Sequence, residues 1–491
     1  MLRTHTCGQL NEKDTNREVV LCGWVASRRD HGKIIFIDLR DRYGITQVVF
    51  LPKPNVSVYE KAKKLHSEDV VRLQGKVNPR PKGTENPKIS TGLIEITAQN
   101  LEILNSSQEL PFEIEDAMYT EVGEDVRLVH RYLDLRRKPV TERFILRHKL
   151  NQAFRSFLNS KDFLEMETPY LSKSTPEGAR DFLVPSRLNP HKFYALPQSP
   201  QLFKQILMVA GIDKYYQFVR CFRDEDLRKD RQPEFTQLDL EMSFIEEPDL
   251  FALMEEMIAY AFGEVFGKEV KLPFPRISYQ EAMEKYGSDK PDGQEFACCA
   301  FSANPSKQGA EVQESLRFAW VFDFPLFEYN HEEGRWQACH HPFTSPKEED
   351  VELLNSLGDK EVTDQHSKNL SRVRARSYDL ICNGQEIASG SVRIHSPDLQ
   401  KKIFKILGIS DRAASRKFGF LLRAFQYGAP PHGGIAFGLD RLYAIIGGCE
   451  SIRDVIVFPK TQKGICPLSD APSGVEERQL KELSLKLKEE K

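Results

Sequence analysis

The stretch from Tyr216 to Phe244, YQFVRCFRDEDLRKDRQPEFTQLDLEMSF, leaves the surrounding chain little choice of fold. Its two arms, Tyr216 to Phe222 and Phe235 to Phe244, alternate aromatic and β-branched side chains as strands do, while the loop from Asp224 to Pro233 is too charged to bury. The pattern predicts a hairpin with its charge gathered at the mouth. Arg223, Arg228, Lys229 and Arg231 set several cations there, and guanidinium forks hold phosphate oxygens through paired hydrogen bonds. A polyphosphate is the ligand that suits this loop, carried on a stiff two-stranded support; a solvated surface loop would read the same way.

At 491 residues the chain has room for roughly two to four structural units with real cores. Its net charge of −3 excludes a wholly basic surface, so any nucleic-acid contact has to come from local patches. The nine cysteines are scattered, without metal-type CxxC pairs, which fits a reducing cytoplasm. The N-terminus has no apolar signal core, and no uncharged apolar run is long enough to span a bilayer, so the expectation is a soluble, cytoplasmic protein.

From Val19 to Glu102 come five strand-like runs, VVLCGWVASR, KIIFIDLRD, ITQVVF, VVRLQGKV and GLIEITAQ, with a helical stretch, Tyr59 to His66, between the third and fourth. That order predicts an OB-fold barrel. Within it Arg28, Arg29, Phe36 and Gln47 combine cations with stacking and hydrogen-bonding side chains, the mixture that reads splayed-out RNA bases. Phe36, beside Ile34 and Ile35, fits equally as core.

Asn105 to Arg136 is polar and reads as a hinge. A helix is expected from Thr141, followed by a strand across FLEMETPYL that ends near Thr168-Pro169. Next, Glu177, Gln198, Gln201 and Lys204 interrupt apolar surroundings, and a loop before a proline holds His340 and His341. SYDLICNGQEIASGSVRIH predicts two strands about a turn at Asn383-Gly384, with Asp379 and Glu386 paired across them. In YGAPPHGGIAFGLDRLYAIIGG the glycines 433, 434 and 438 permit close packing ahead of an amphipathic helix from Leu439, and the charged tail EERQLKELSLKLKEEK reads as a further helix.

FRDEDLRKDRQPEFTQLDLE resembles motif 2 of the class II aminoacyl-tRNA synthetases, and in detail that of the bacterial aspartyl-tRNA synthetases. The helix and strand ending in Thr168-Pro169 resemble motif 1, and the glycine-rich run before Arg441 resembles motif 3, all in the family's order. The resemblance covers almost the whole chain and implies an α+β architecture: an N-terminal OB-fold barrel over 1–104, a hinge over 105–135, and a catalytic domain over 136–289 and 317–491. That domain is a mixed, mostly antiparallel sheet flanked by helices, with motif 1 as a homodimer interface. Residues 290–316 are then a stub where bacterial relatives carry a large inserted domain.

Residue by residue, the resemblance implies ATP contacts for Arg223, Asp224, Glu225, Gln232, Glu386, Gly438, Leu439, Asp440 and Arg441. Arg223 and Arg441 are the catalytic pair, on the α- and γ-phosphates, and the helix start behind Arg441 favours anions. Asp379 and Glu386 imply Mg2+, because that ion binds through one or two carboxylates plus phosphate oxygens; a surface acid on each strand is the plain alternative. Glu177, Gln201, Lys204, Arg223, Asp239, His340 and Arg393 fall on the aspartate site. There Lys204 and Arg393 offer cations to the side-chain carboxylate and Glu177 and Asp239 offer anions to the ammonium. A buried charge left unpaired by isosteric asparagine is worth about ten-thousandfold in discrimination.

Arg29, His31, Phe36, Gln47 and Gly83 fall on the anticodon site, and the His31 and Gly83 pairing resembles the members that charge both tRNA(Asp) and tRNA(Asn). The expected activity is ATP-dependent formation of aspartyl-adenylate from L-aspartate, then transfer to the 3' end of tRNA(Asp) and of tRNA(Asn), with neither membrane nor DNA as partner. Three readings compete with it: a strictly tRNA(Asp)-specific enzyme, a relative that activates asparagine or lysine, and a synthetase-derived RNA binder without catalysis. Motif details oppose the second, and the retained ATP ligands oppose the third.

Overall fold

The computed structural model describes residues 1–114, 122–175, 178–301, 314–356 and 369–488. Glu177 and parts of the expected hinge and stub lie outside the described residues. The chain divides into two compact units, Met1–Thr141 and Glu142–Lys491.

In the first unit, strands β1 (Glu18–His31), β2 (Ile34–Asp41) and β3 (Gly44–Phe50) precede helix α1 (Val56–Ala62), and β4 (Val70–Pro79) and β5 (Ile94–Asn105) follow it. They close into a barrel in the order β1-β2-β3-β5-β4. Alternation sends Val19, Leu21, Ile35, Ile37, Leu39, Val71, Leu73 and Ile96 into one core. Phe36 therefore lies on the outer face and is only partly covered, so its reading as core is corrected by the strand's own period of two. Helix α1 begins three residues earlier than expected and stops at Ala62. Asn55 caps it by accepting a hydrogen bond from Val58 N at 3.2 Å.

The second unit contains helix α2 (Lys138–Ser160), β6 (Leu164–Glu165), a ribbon of β7 (Leu183–Pro185) with β8 (Phe193–Ala195), helix α3 (Gln201–Val209), and the strands β9 (Lys214–Phe222) and β10 (Glu234–Ser243). Next come α4 (Glu247–Phe266), β11 (Arg276–Ser278), α5 (Tyr279–Tyr286), β12 (Ala297–Phe301), β13 (Glu314–Phe322) and a small hairpin of β14 (Phe327–Asn330) with β15 (Arg335–Ala338). The strands β16 (Ser377–Cys382) and β17 (Gln385–Val392) follow, then α6 (Pro397–Ile406), α7 (Asp411–Phe425), β18 (His432–Gly438) and α8 (Leu439–Ile446). Nine strands form one sheet in the order β11-β13-β16-β17-β18-β10-β9-β6, with β12 paired to β13. Only β11 with β13 and β6 with β9 run parallel; the other described pairs are antiparallel.

The two faces of this sheet differ in chemistry. Leu238 and Leu240 of β10, Ile435 and Phe437 of β18 and Leu380 of β16 pack with Phe154 of α2, Met254 of α4 and Leu442 of α8 in the main core. The intervening residues Gln237, Asp239, Glu241, Ser389 and Asp379 point the other way, as a period of two requires. A second, smaller core of Leu202, Phe343, Phe404 and Phe418 holds α3, α6 and α7 together on that side.

Three expected elements differ. The strand after α2 shrinks to Leu164–Glu165, because Gln217 takes both the Thr168 N–H (3.2 Å) and the Thr168 hydroxyl (3.0 Å) with its side-chain oxygen and Pro169 has no N–H to continue a ladder. Asp379 and Glu386 are not direct cross-strand partners. A bulge at Leu380/Ile381 places Asp379 opposite Ser389 and Glu386 opposite Ile381. Among the described residues the tail is helical over Glu477–Glu482, and the chain leaves helical geometry at Ser484, whose φ is +58°.

Candidate functional site

The polar face of the sheet floors a cavity of about 520 Å³ walled by α3, the β9–β10 hairpin and the start of α8. Asp239 and Glu241 stand two apart on β10, so both project to this side. Lys204 on the α3 helix reaches both acids, with its Nζ 3.0 Å from Asp239 Oδ1 and 3.1 Å from Glu241 Oε2. Arg393, just beyond β17, donates to Glu241 through Nε at 2.9 Å and Nη2 at 3.1 Å. All four side chains are at most 3% exposed. The tetrad is possible because β18 offers Gly434 opposite Glu241: a Cβ there would fall 1.9 Å from Glu241 Oε2.

Burial would raise both acids, and the cations divide them. Glu241, held by Arg393 and Lys204, drops to about 2. Asp239 rises to about 6, since burial and the neighbouring Glu241 charge outweigh Lys204. Arg393 Nη1 also donates to His341 Nε2 at 2.7 Å. Enclosure and that guanidinium hold His341 well below the usual imidazole range. One buried polar atom of this floor, Gln201 Nε2, donates no hydrogen bond, although its residue lines the cavity.

The rim is arginine-rich. Arg223 closes the hairpin through its backbone N to Pro233 O at 2.9 Å and sets its guanidinium 5.0 Å from the Phe235 ring centre. Arg231 lies 3.4 Å from Glu225, and Arg441, in the first turn of α8, donates to the Glu386 carbonyl. Gln232 lines the cavity, but its amide exchanges hydrogen bonds with the Lys460 backbone at 3.0 and 2.8 Å. Asp440 takes the Thr236 N–H at 2.8 Å and pairs with Arg147, tying α8 to the hairpin. The Leu439 side chain is in the core and Asp224 is not among the lining residues, whereas Gly438 is.

Glu386 reaches this cavity and a neighbouring one that Asp379 also lines. His340 Nε2 stands between them and the floor, 3.0 Å from Ser389 Oγ and 3.4 Å from Asp379 Oδ1. Burial alone would lower His340, but Asp379 and Glu386 raise it above the ordinary value. Glu386 is itself raised, first by burial and then by the Asp379 charge. Among the described residues no group of three or more histidines, cysteines or acids is arranged to hold a metal, so a cation at this pair would need oxygens from a ligand.

Most of the expected site residues of this unit thus converge. Glu241, Ser389 and Lys290 were not anticipated. Period-two spacing from Asp239 could have found Glu241, and alternation along β17 could have found Ser389, but Lys290 lies in a segment without periodicity.

In the barrel unit, Arg29 lies 3.0 Å from Asp38 and 3.4 Å from Gln47 Oε1, and Gln47 Nε2 donates to Glu95 at 3.0 Å. Burial raises Glu95, an acid that sequence reading did not single out. The partly covered Phe36 ring sits cross-strand from Arg29 and meets the exposed His31 edge-on at 5.8 Å. Gly83 occupies a separate turn at φ +90°, with its N–H donated to Glu85 at 2.8 Å.

The model of the family of tRNA synthetases class II (D, K and N) matches residues 123–462, and that of the OB-fold nucleic acid binding domain matches residues 19–104. Aspartate-tRNA(Asp/Asn) ligases of Thermodesulfovibrio yellowstonii and Persephonella marina are 45% and 47% identical to this chain, in each case over 99% of it, and over 100% and 97% of their own length. The first alignment runs over 595 positions, against the 491 residues of this chain, so that relative has segments with no counterpart here. In structure, the asparaginyl-tRNA synthetase of Pyrococcus horikoshii with asparaginyl-adenylate is similar with a TM-score of 0.72, at 23% identity, over 94% of this chain and 99% of that one. The aspartyl-tRNA synthetase of Entamoeba histolytica is similar with a TM-score of 0.68 over 92% of this chain and 90% of that one.

Proposed function

Because this chain belongs to the class II tRNA synthetases (D, K and N), we propose that it activates L-aspartate with ATP and charges both tRNA(Asp) and tRNA(Asn). The observation that carries the reading is the floor tetrad. Lys204 and Arg393 give a side-chain carboxylate two buried cations, and Asp239, paired with Lys204 at the cavity floor, gives an ammonium its anion. Asparagine would bring those cations no charge of its own. Glu177, Gln201 and His340 complete this pocket in our assignment.

The aspartate α-carboxylate attacks the α-phosphorus of ATP in line and pyrophosphate departs. Arg223 stabilises charge on the α-phosphate and Arg441 on the γ-phosphate, with Glu225, Gln232, Gly438 and Asp440 shaping the nucleotide site around them. Asp379 and Glu386 would hold Mg2+, which when bound neutralises phosphate charge. The raised proton affinity of Glu386 beside Asp379 fits such an ion. No side-chain nucleophile is required: the terminal ribose hydroxyl of tRNA next attacks the anhydride carbonyl, AMP leaves, and positioning supplies most of the acceleration.

Anticodon bases are read on the barrel by Arg29, Phe36 and Gln47, with His31 and Gly83 admitting the base that distinguishes the two tRNAs. The edge-on packing of His31 on Phe36 supports that role. The enzyme pairs with a second copy through the face carrying Leu164, Tyr170, Leu171, Leu183 and Phe193, all exposed apolar side chains around β6 to β8. It works in the cytoplasm, which suits cysteines scattered without metal-type CxxC pairs; among the described residues no helix is long and apolar enough to cross a membrane.

The test is charging of separate tRNA(Asp) and tRNA(Asn) transcripts with labelled aspartate, ATP and Mg2+. Both are expected to accept aspartate. Charging of tRNA(Asp) alone would make the enzyme discriminating, and charging of neither would overturn the assignment.

A further inference from the structure

Lys290 approaches the cavity from a side that neither the hairpin nor α8 supplies. After α5 the chain reverses at Gly287, whose φ is +65°, and Ser288 Oγ accepts from Lys290 N at 3.0 Å. The next residues anchor it. Pro291 is buried, Asp292 pairs with Arg317 at 2.6 Å, and Asp292 packs so closely on the Asn383-Gly384 turn that a Cβ on Gly384 would lie 3.1 Å from Asp292 Cβ. A half-exposed lysine is thereby fixed by its neighbours and not by its own head group.

That head group lines the same cavity as Arg223, Glu386 and Arg441. Lys290 Nζ stands 3.8 Å from Glu386 Oε2, beyond the roughly 2.7–2.9 Å of a charge-assisted hydrogen bond, and its side chain is 43% exposed. Such a pairing contributes little by itself and leaves three donors available. Arg441 contacts the same residue through the Glu386 carbonyl. Glu386 is therefore approached by two cations from two different elements.

We propose that Lys290 is a ligand of the β- and γ-phosphates of ATP and, with Arg441, forms a two-sided cationic clamp on the pyrophosphate as it leaves. The proposal rests on the synthetase reading given above. As the carboxylate oxygen bonds to the α-phosphorus, the bond to the bridging oxygen breaks and its electron pair departs with pyrophosphate. Lys290 meets that growing negative charge with a fixed ammonium and transfers no proton.

The test compares Lys290→Ala and Lys290→Arg with the parent in full-length protein, by aspartate-dependent ATP–pyrophosphate exchange and by calorimetric binding of ATP with Mg2+. Loss of one charged contact should raise the ATP and pyrophosphate KM of Lys290→Ala about tenfold, with the aspartate KM held within about twofold. Lys290→Arg should recover most of the loss. Lys285→Ala, an exposed lysine on α5 away from the cavity, should match the parent. Parent-like ATP affinity in Lys290→Ala, or a rise in aspartate KM as large as that for ATP, would overturn the proposal. A parent protein without exchange would instead sink the synthetase reading, and the calorimetric comparison would still decide whether Lys290 holds the nucleotide.

Discussion

Glu241 governs the floor without lining it. Glutamine at this position keeps the shape and removes the charge, leaving Lys204 and Arg393 to share Asp239. Breaking a buried pair in this way costs about 3–5 kcal/mol. Glu241→Gln should therefore lose stability of that order in chemical denaturation and raise the aspartate KM more than the ATP KM. Asp239 sets a pH limit of a different kind. Its native value of about 6 lies above that of an ordinary carboxylate, so the folded protein takes up a proton there as pH falls, and under the proposed function the substrate ammonium would then lose its anion. Aspartate KM, measured from pH 8 down to about 5, should climb below about 6. Glu241 behaves oppositely: its depressed value makes it stabilising above the ordinary carboxylate range, and that contribution is lost only as pH falls towards about 2. Asp239 was legible in the sequence because it lies in a recognisable motif. Glu241, two residues on, shares its face of the strand by period two, but the convergence of the distant cations Lys204 and Arg393 on it is a property of the fold alone.

Among the elements, the hairpin of β9 and β10 was the most legible, since alternation and a charged loop fix both arms and mouth. The pairing of Asp379 with Glu386 was less so. Its turn follows from Asn383-Gly384, both at positive φ, but the bulge that shifts one strand against the other has no local signature. The contraction of β6 was hidden for a similar reason: the side chain of Gln217 intercepts Thr168 from another strand. The glycines of β18 carry a requirement that sequence could only suggest. Gly434→Ala would drive a methyl into Glu241 Oε2 and to within 2.2 Å of Leu240 O. Overpacking of this kind typically costs about 1–3 kcal/mol, and more where backbone must move. We expect a lowered Tm in thermal unfolding and aspartate activation reduced far more than ATP binding.

At the level of the whole molecule, two compact units divide the labour. His31 belongs to the barrel, so His31→Ala should change the ratio of tRNA(Asn) to tRNA(Asp) charging, while ATP–pyrophosphate exchange, which proceeds without tRNA, keeps the parent's rate. A ratio unaltered by the substitution would remove His31 from tRNA selection. The overall plan of barrel, sheet and helices was readable from the order of the elements, because each motif constrains its neighbours. What separates this chain from its longer relatives was legible only as missing periodicity after Tyr286. The floor of the cavity has one more consequence, for behaviour in salt. Two cations and two acids cancel within a few ångströms and out of water, so this pocket projects almost no field into the solvent, and dissolved ions have little there to screen. Under the proposed function the tRNA would be captured the other way, as a polyanion whose counterions are released on binding. Raising the salt should weaken tRNA capture steeply and leave aspartate affinity nearly level, so the ionic strength of an assay decides which half of the reaction it reports.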